Sequence, residues 1–186
     1  MNQRPSTDTL TIVVLGVGND FASDDGVGRY VARQLTALHL PGVTIQEQPG
    51  EAAELIEAWQ GADVVFLVDA VHSGAKPGTV HRFEADAGPL PAEAFGDAST
   101  HAFGVAVAVE LSRVLRTLPD RVAVIGIEGK SFEPGQGLST ETKKAADWVV
   151  HCLANEIRRV ANSEPDDALA AQRIPQHNIL DGRSSS

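Results

Sequence analysis

One segment near the start of the sequence constrains the fold of this chain more than any other. A β-branched and aliphatic run over residues 10–15 breaks at Gly16 and Gly18, and an amphipathic helical pattern begins at the acidic pair Asp24 and Asp25. This order predicts a buried strand, a tight turn and a helix that carries carboxylates at its N-terminus.

The turn after this strand differs from a dinucleotide-binding turn in two ways. That fingerprint requires a third small residue, and Phe21 occupies its position. Two aspartates would also lie where the pyrophosphate binds, and their charges would repel it. A strand-end turn that offers carboxylates instead of backbone amides suits a cation. Nucleotide binding is therefore the least favoured function.

Length and composition indicate one acidic domain. A chain of 186 residues is long enough for one domain with a full core and too short for two ordinary ones. No stretch approaches the length of a membrane span, and the polar N-terminus lacks the apolar segment of an export signal. The single cysteine excludes an internal disulfide. These features predict a cytoplasmic protein without a membrane partner.

The charge balance argues against a nucleic-acid partner. The formal net charge is −10 at pH 7, and the lysine and arginine residues are scattered along the chain. Phosphate backbones bind clustered basic residues and release counterions there. We therefore expect no nucleic acid among the partners.

Strand and helix patterns alternate along the chain. Strands are predicted over residues 9–16, 43–48, 63–69, 79–83 and 121–127. Helices are predicted over residues 25–38, 51–60, 101–117 and 139–161. The alternation predicts a three-layer α/β/α sandwich with a mostly parallel twisted sheet of about five strands. The strand at 63–69 is continuously apolar, as in strands buried on both faces, whereas 79–83 has the alternation of an edge strand.

The domain organisation is simple. Residues 1–8 are expected to form a flexible N-terminus, and residues 9–162 a single α/β domain. Residues 163–186 are polar and aperiodic, which predicts a disordered tail.

Three polar groups are predicted to meet at one edge of the sheet. In α/β folds, ligands bind outside the carboxyl ends of the strands. Asp24 and Asp25 follow the first strand, Asp69 ends the third, and His101 opens the helix before the last strand. Two carboxylates and one imidazole suit a borderline divalent ion, and three protein ligands leave coordination positions open.

Structural explanations compete with this metal site. Asp24 is best interpreted as a helix N-cap. For Asp25, stabilisation of the first helical turn and metal ligation are equally supported. For Asp69, which ends an apolar strand, a functional role is favoured. His72 lies three residues after Asp69, and the residue pattern alone does not separate it from His101.

Four motifs agree in order and spacing with one known family over about residues 10–155. They are Leu15-Gly16-Val17-Gly18-Asn19, Asp24-Asp25-Gly26-Val27-Gly28, Asp69-Ala70 followed by Lys76-Pro77-Gly78-Thr79-Val80, and Ser99-Thr100-His101 with Gly104. In these motifs the chain resembles the hydrogenase maturation endopeptidases. These enzymes trim the C-terminus of the large subunit of nickel–iron hydrogenases.

The resemblance assigns the site residues. The family's acidic residue before the helix glycine falls on Asp25, its strand-end aspartate on Asp69, and its histidine on His101 rather than His72. All three are implied to be catalytic and to contact the metal. The resemblance also implies that nickel is supplied by the large-subunit precursor. Without cysteine ligands the site should hold nickel weakly until the precursor's thiolates complete the coordination.

The resemblance further implies where the substrate binds. Gly18 and Asn19 are assigned to substrate binding in the first strand-end turn, and Glu47 and Gly50 after the second strand. The family often carries an acidic residue followed by Gly-Gly-Thr there, and this chain has Glu47 in the acidic position of the segment 47–51.

Two glutamates are expected on the rim of the site. Glu128 and Glu133 belong to the glycine-rich loop over residues 128–138, and neither is expected to be catalytic.

Two other functions compete with the endopeptidase, which is expected to be an aspartyl or metal-dependent enzyme. One is a metallochaperone or checkpoint protein that binds the same precursor without cutting it. The other is a peptidyl-tRNA hydrolase-like enzyme, against which the acidic charge counts.

Overall fold

The structure is a computed structural model that describes residues 10–90 and 100–162, without the side chains of residues 100–103. Its strands are β1 Ile12–Val17, β2 Val43–Gln48, β3 Val64–Val71, β4 Val80–Glu84 and β5 Arg121–Glu128. Its helices are α1 Val27–Ala37, α2 Ala52–Ala58, α3 Thr100–Leu115 and α4 Thr140–Ala161. A 3-10 turn, Ser23–Gly26, joins β1 to α1.

The strands form one mixed sheet in the order β2-β1-β3-β5-β4. The pairs β1–β2, β1–β3 and β3–β5 are parallel, and β4 is antiparallel to β5 at one edge. The predicted fold, a mostly parallel sheet of about five strands between helical layers, is confirmed. The edge position predicted for the fourth strand is confirmed as well.

Two hydrophobic cores cover the two faces of the sheet. Successive residues of β1 alternate between them, so that Val14 packs with α1 and α4 and Leu15 packs with α2 and α3. Every residue of β1, β3 and β5 is buried. Burial on both faces explains why these strands are apolar, apart from Asp69 in β3 and the terminal residues Arg121 and Glu128 of β5.

The close contact of α1 with the sheet depends on Gly28. A Cβ atom at this position would overlap the carbonyl oxygens of Val17 and Val68. Its absence lets the start of α1 lie directly against the ends of β1 and β3. This approach brings the 3-10 turn, with Asp25, to the end of β3 that carries Asp69.

A buried ion cluster joins α4 to the strands β4 and β5. The Glu156 carboxylate accepts hydrogen bonds from Arg82 Nη1 at 2.9 Å and Arg82 Nη2 at 3.0 Å, and it also accepts one from Arg121. All three side chains are buried. Arg82 Nε also donates to Glu84 Oε1 at 2.7 Å, so two guanidinium groups meet two carboxylates. The cluster therefore ties the helix to the sheet without leaving an uncompensated buried ion.

Several predictions fall outside the described residues. They are the N-terminal segment 1–8 and the tail 163–186. The sequence also predicts a loop over residues 85–98, rich in Asp, Ala, Gly and Pro, and a helix cap at Ser99-Thr100. The structure describes this loop only to residue 90, and Ser99 lies outside the described residues. Among the described helices, none has the combined length and hydropathy of a membrane span.

Candidate active site

Asp25 and Asp69 lie together at the carboxyl edge of the sheet. Asp25 belongs to the 3-10 turn after β1, and Asp69 is the third residue from the end of β3. Both side chains are buried, and their carboxyl groups interact electrostatically. Two of the three groups predicted to converge at this edge are therefore neighbours, although they are 44 positions apart in the sequence.

The environment of Asp69 favours its protonated form. Burial and the nearby charge of Asp25 raise the pKa of Asp69 to about 8, against a hydrogen bond of 2.8 Å that Ala70 N–H donates to Oδ1. Oδ2 is buried and has no hydrogen-bond partner among the described residues. Buried polar atoms are rarely left in this condition. An unpartnered oxygen beside a second carboxyl group is suited to a proton or a cation.

Asp24 has a structural role, but not the predicted one. Its carboxylate accepts backbone hydrogen bonds from Lys130 at 2.7 Å, Ser131 at 3.2 Å and Ser139 at 2.6 Å. Burial alone would raise the pKa of Asp24, but these hydrogen bonds hold it below its usual value. The N-cap of α1 is Gly26, so the predicted capping role is wrong. The side chain instead fixes the segment between β5 and α4 to the 3-10 turn.

The backbone of residue 101 lies in the first turn of α3. This end of α3 packs closely against the segment after β2. A Cβ atom at residue 104 would overlap the carbonyl oxygen of Gly50, so the approach requires glycine at this position. The His101 side chain lies outside the description, so its role stays a prediction. The rival His72 is exposed, and its ring meets Phe132 edge-on at a centroid distance of 5.5 Å.

The predicted substrate-binding residues of the first turn shape the backbone near Asp25. Gly18 has φ +138°, its N–H donates to Gln48 O at 3.2 Å, and a Cβ atom there would overlap Asp25 O. Only glycine meets both conditions without strain. Asn19 Oδ1 accepts a hydrogen bond of 3.0 Å from Phe21 N–H and so closes the turn. Their contacts with substrate stay predictions.

Glu47, predicted to follow the second strand, is the penultimate residue of β2, and it is paired with two arginines of α1. It accepts hydrogen bonds from Arg29 Nε at 2.9 Å and from Arg33 Nη2 at 2.7 Å. Asp20 also pairs with Arg33. The hydrogen bonds from Arg33 hold the pKa of Glu47 below its ordinary value despite partial burial. Sequence reasoning missed these partners, although Arg29 and Arg33 have the i, i+4 spacing of one helix face.

Glu128 is a buried anchor, and the predicted rim position is wrong. Its side chain is 1% exposed and accepts hydrogen bonds from Ser73 Oγ at 2.8 Å, Ser73 N at 3.2 Å and Gly74 N at 3.0 Å. His81 Nε2 lies 3.5 Å from its Oε2. Glu128 therefore fixes the loop that follows the strand of Asp69. No local pattern predicts this role, because its partners lie 54 and 55 positions away.

The described side chains supply an incomplete metal site. No group of three histidine, cysteine, aspartate or glutamate residues suited to a metal ion occurs among them. The carboxyl groups of Asp25 and Asp69 provide two oxygen donors, and the predicted nitrogen donor, His101, is not described at the side-chain level. The chemistry of the pair fits a cation that brings further ligands with it.

Comparison with known proteins places these features in a family. The family model of HycI, hydrogenase maturation protease, matches residues 30–156. A Methanocaldococcus jannaschii protein, provisionally named a hydrogenase maturation protease, is 29% identical over 157 residues, which cover 80% of this chain and 97% of the relative. The hydrogenase 2 maturation protease of Escherichia coli is 26% identical over 133 residues, covering 70% and 80%.

A solved structure agrees with the fold. The hydrogenase maturating endopeptidase HybD from E. coli superposes with a TM-score of 0.68 at 24% identity, and the match covers 81% of this chain and 93% of that one. The match to the family model spans more than half of the sequence and includes Asp69 and His101. This chain therefore belongs to the hydrogenase maturation protease family of substrate-specific endopeptidases.

Proposed function

We propose that this endopeptidase removes a short C-terminal peptide from the nickel-loaded precursor of a nickel–iron hydrogenase large subunit. One observation carries the proposal most directly: a buried pair of carboxyl groups, Asp25 and Asp69, in which Asp69 Oδ2 has no hydrogen-bond partner among the described residues. We place the reaction in the cytoplasm, since a chain with one cysteine has no need of an oxidising compartment.

Nickel carried by the precursor would relieve the repulsion within this pair. Two carboxylates at a buried site destabilise each other, and a divalent cation compensates both charges. With the imidazole of His101, the pair would offer the mixed oxygen and nitrogen ligands that suit nickel. The precursor's thiolates would complete the coordination, so the metal acts as a mark that the precursor is ready for cleavage.

The same carboxyl groups can move the protons of peptide hydrolysis. A carboxylate has two oxygens, so one oxygen can contact the cation while the other accepts a proton from the attacking water. As the peptide bond breaks, this proton passes to the departing amine, and one water is consumed. Asp25 and Asp69 both have the burial and proximity that this role requires.

Cleavage of the natural precursor tests the proposal. Mass spectrometry of the nickel-loaded precursor after incubation should show one shortened product, and nickel-free precursor should stay intact. An unrelated denatured protein serves as the control for selectivity. Efficient cleavage of nickel-free precursor would overturn the metal-recognition mechanism. Tight binding without any cleavage would favour the checkpoint alternative.

Binding of the nickel-loaded precursor should strengthen as the pH rises towards 8. Asp69 keeps its proton up to a pKa of about 8, and this proton must leave before the carboxylate contacts a cation. The affinity should therefore rise about tenfold per pH unit below this pKa and level off above it. Titration calorimetry between pH 6 and 9 measures the slope. A flat profile for the wild-type protein would show that Asp69 does not bind the cation.

A further inference from the structure

One segment of the chain is hydrogen-bonded to both of the segments that carry the acidic pair, Asp25 and Asp69. This bridging segment comprises residues 128–139, from the last residue of β5 to the N-cap of α4. It begins at the carboxyl edge of the sheet, because β5 runs parallel to β3. Each of its two attachments includes a buried carboxylate, Asp24 in one and Glu128 in the other.

The first attachment holds the 3-10 turn of Asp25. Asp24 directly precedes Asp25, and its carboxylate accepts hydrogen bonds from three backbone N–H groups of the bridging segment. Asp24 N–H also donates to Ser131 O at 3.0 Å. Ser23 N–H donates to Gly135 O at 3.1 Å. The turn is therefore fixed to the bridging segment by its backbone as well as by a side chain.

The second attachment holds the end of β3, just after Asp69. Glu128 Oε1 accepts a hydrogen bond from Gly74 N–H, and Oε2 accepts from the N–H and the hydroxyl group of Ser73. The residue after Glu128 donates its N–H to Val71 O at 3.0 Å. The strand end that carries Asp69 is therefore tied to the same segment as the turn.

The direct pairing of β1 with β3 ends before the acidic pair. Its last pair is Gly16 with Val68, so Asp25 and Asp69 both lie beyond it. Two ionised carboxylates at a buried site repel each other, and this repulsion would move the turn away from the strand end. The bridging segment opposes that movement, because it is hydrogen-bonded to both.

We propose that Asp24 and Glu128 are positioning residues for peptide hydrolysis. Through the bridging segment, they hold Asp25 and Asp69 at the spacing that the reaction requires. The inference rests on the proposed function, which assigns the reaction to the acidic pair. A displacement of about 1 Å at a reacting group can lower a rate about 100-fold, so loss of either attachment should have a measurable effect.

Cleavage by variants of the two carboxylates tests the inference. Asp24→Asn and Glu128→Gln keep the shape of each side chain but leave one oxygen where two act as acceptors. Each variant should cleave the nickel-loaded precursor about 10–100-fold more slowly than the wild type. The matched controls are Asp63→Asn, whose carboxylate also accepts a backbone N–H, and Glu57→Gln at an exposed position of α2. Both controls should cleave within about twofold of the wild-type rate.

Combined variants separate positioning from a general loss of stability. If Glu128 acts through Asp69, Glu128→Gln should lower the residual rate of Asp69→Asn by less than about twofold. Asp24→Asn should likewise change the residual rate of Asp25→Asn by less than about twofold. A fold weakened as a whole would lower the rate by the same factor in every background. Full multiplication of the losses in both combinations would therefore overturn the inference.

Ser73→Ala is a milder variant of the second attachment. It removes the hydroxyl donor to Glu128 Oε2 and leaves the carboxylate with its backbone donors. Loss of this hydrogen bond should lower the cleavage rate about threefold, so the attachment can be tested even if Glu128→Gln does not fold. A wild-type rate for Ser73→Ala in that case, or for both variants, would overturn the role of Glu128.

Hydrogen exchange gives a test that requires no substrate. Asp25 N–H donates to Ala22 O at 3.1 Å, and in Asp24→Asn this amide should exchange at least about tenfold faster than in the wild type. Unchanged exchange would overturn the role of Asp24. Failure of the wild-type protein to cleave the precursor would count against the proposed function alone, since exchange still reports whether Asp24 holds the turn.

Discussion

Asp69→Asn should lower the rate of precursor cleavage by about 10²–10⁴-fold, the usual contribution of an acid–base group. The amide keeps Oδ1, which accepts the hydrogen bond from Ala70, so the local backbone should not change. It removes the negative charge that would contact nickel and the oxygen that would accept a proton. Cleavage is measured by mass spectrometry of the precursor over time.

The same substitution should make the folded protein more stable at alkaline pH. The unfolded chain loses the Asp69 proton near the ordinary pKa of 3.8, whereas the folded protein keeps it to about 8. Rising pH between these values therefore lowers the free energy of unfolding, and the loss levels off above about pH 8. Asparagine does not titrate, so the variant should gain about 1–2 kcal/mol over the wild type at pH 8. Urea denaturation at pH 5 and pH 8 measures the difference.

Asp63, which directly precedes the same strand at its other end, provides the matched control. Its Oδ2 accepts a hydrogen bond of 2.8 Å from Thr11 N–H, far from the carboxyl edge. Asp63→Asn should leave cleavage unchanged and gain no stability. Full activity of Asp69→Asn would contradict the catalytic role of Asp69. A variant less stable than the wild type at pH 8 would contradict the inference that the ionised Asp69 carboxylate destabilises the folded protein.

The elements that sequence analysis predicted well are those whose pattern is set by burial alone. The strands β3 and β5 are buried on both faces, and a continuous apolar run indicates this environment directly. The edge strand β4 has a different pattern, which predicts its position. Its antiparallel direction could not be predicted, because the connection to β5 passes through α3.

The residues that sequence analysis misassigned have partners far away in the chain. Asp24 has the residue type and position of a helix cap, but its carboxylate binds amides more than 100 positions later. Glu128 follows an apolar strand and resembles a rim residue, yet it anchors a loop on the neighbouring strand. Local patterns report local hydrogen bonds, whereas these carboxylates satisfy distant backbone groups that only the fold brings near.

Contacts between residues at the ends of parallel strands can be predicted even when the residues are far apart in sequence. The rule for parallel sheets brings Asp25 and Asp69 to the same edge from sequence alone, and the structure has them as neighbours. The raised pKa of Asp69 could not be predicted, because it depends on complete burial and on the distance between the carboxyl groups.

His101→Ala should reduce the rate of precursor cleavage by at least about 10–100-fold. Losses of this size follow the removal of residues that only contact a metal's ligands, and the loss of a ligand itself should cost no less. Residue 101 lies in the first turn of α3, at the end that packs against Gly50, and the family resemblance makes it the nitrogen ligand. Removing an imidazole leaves the two carboxylates as the protein's ligands to nickel. Binding of the nickel-loaded precursor should weaken as well, which titration calorimetry measures.

His72→Ala is the matched control, because this histidine lies only three residues after Asp69 and the residue pattern alone does not separate it from His101. Its ring is exposed and meets Phe132 edge-on, so its removal should change cleavage less than about twofold and stability by less than about 0.5 kcal/mol. Circular dichroism of both variants checks that the fold is intact. Full activity of His101→Ala together with loss of activity in His72→Ala would reassign the nitrogen ligand to the loop after β3. Loss of activity in neither variant would mean that nickel is recognised through the carboxyl pair alone.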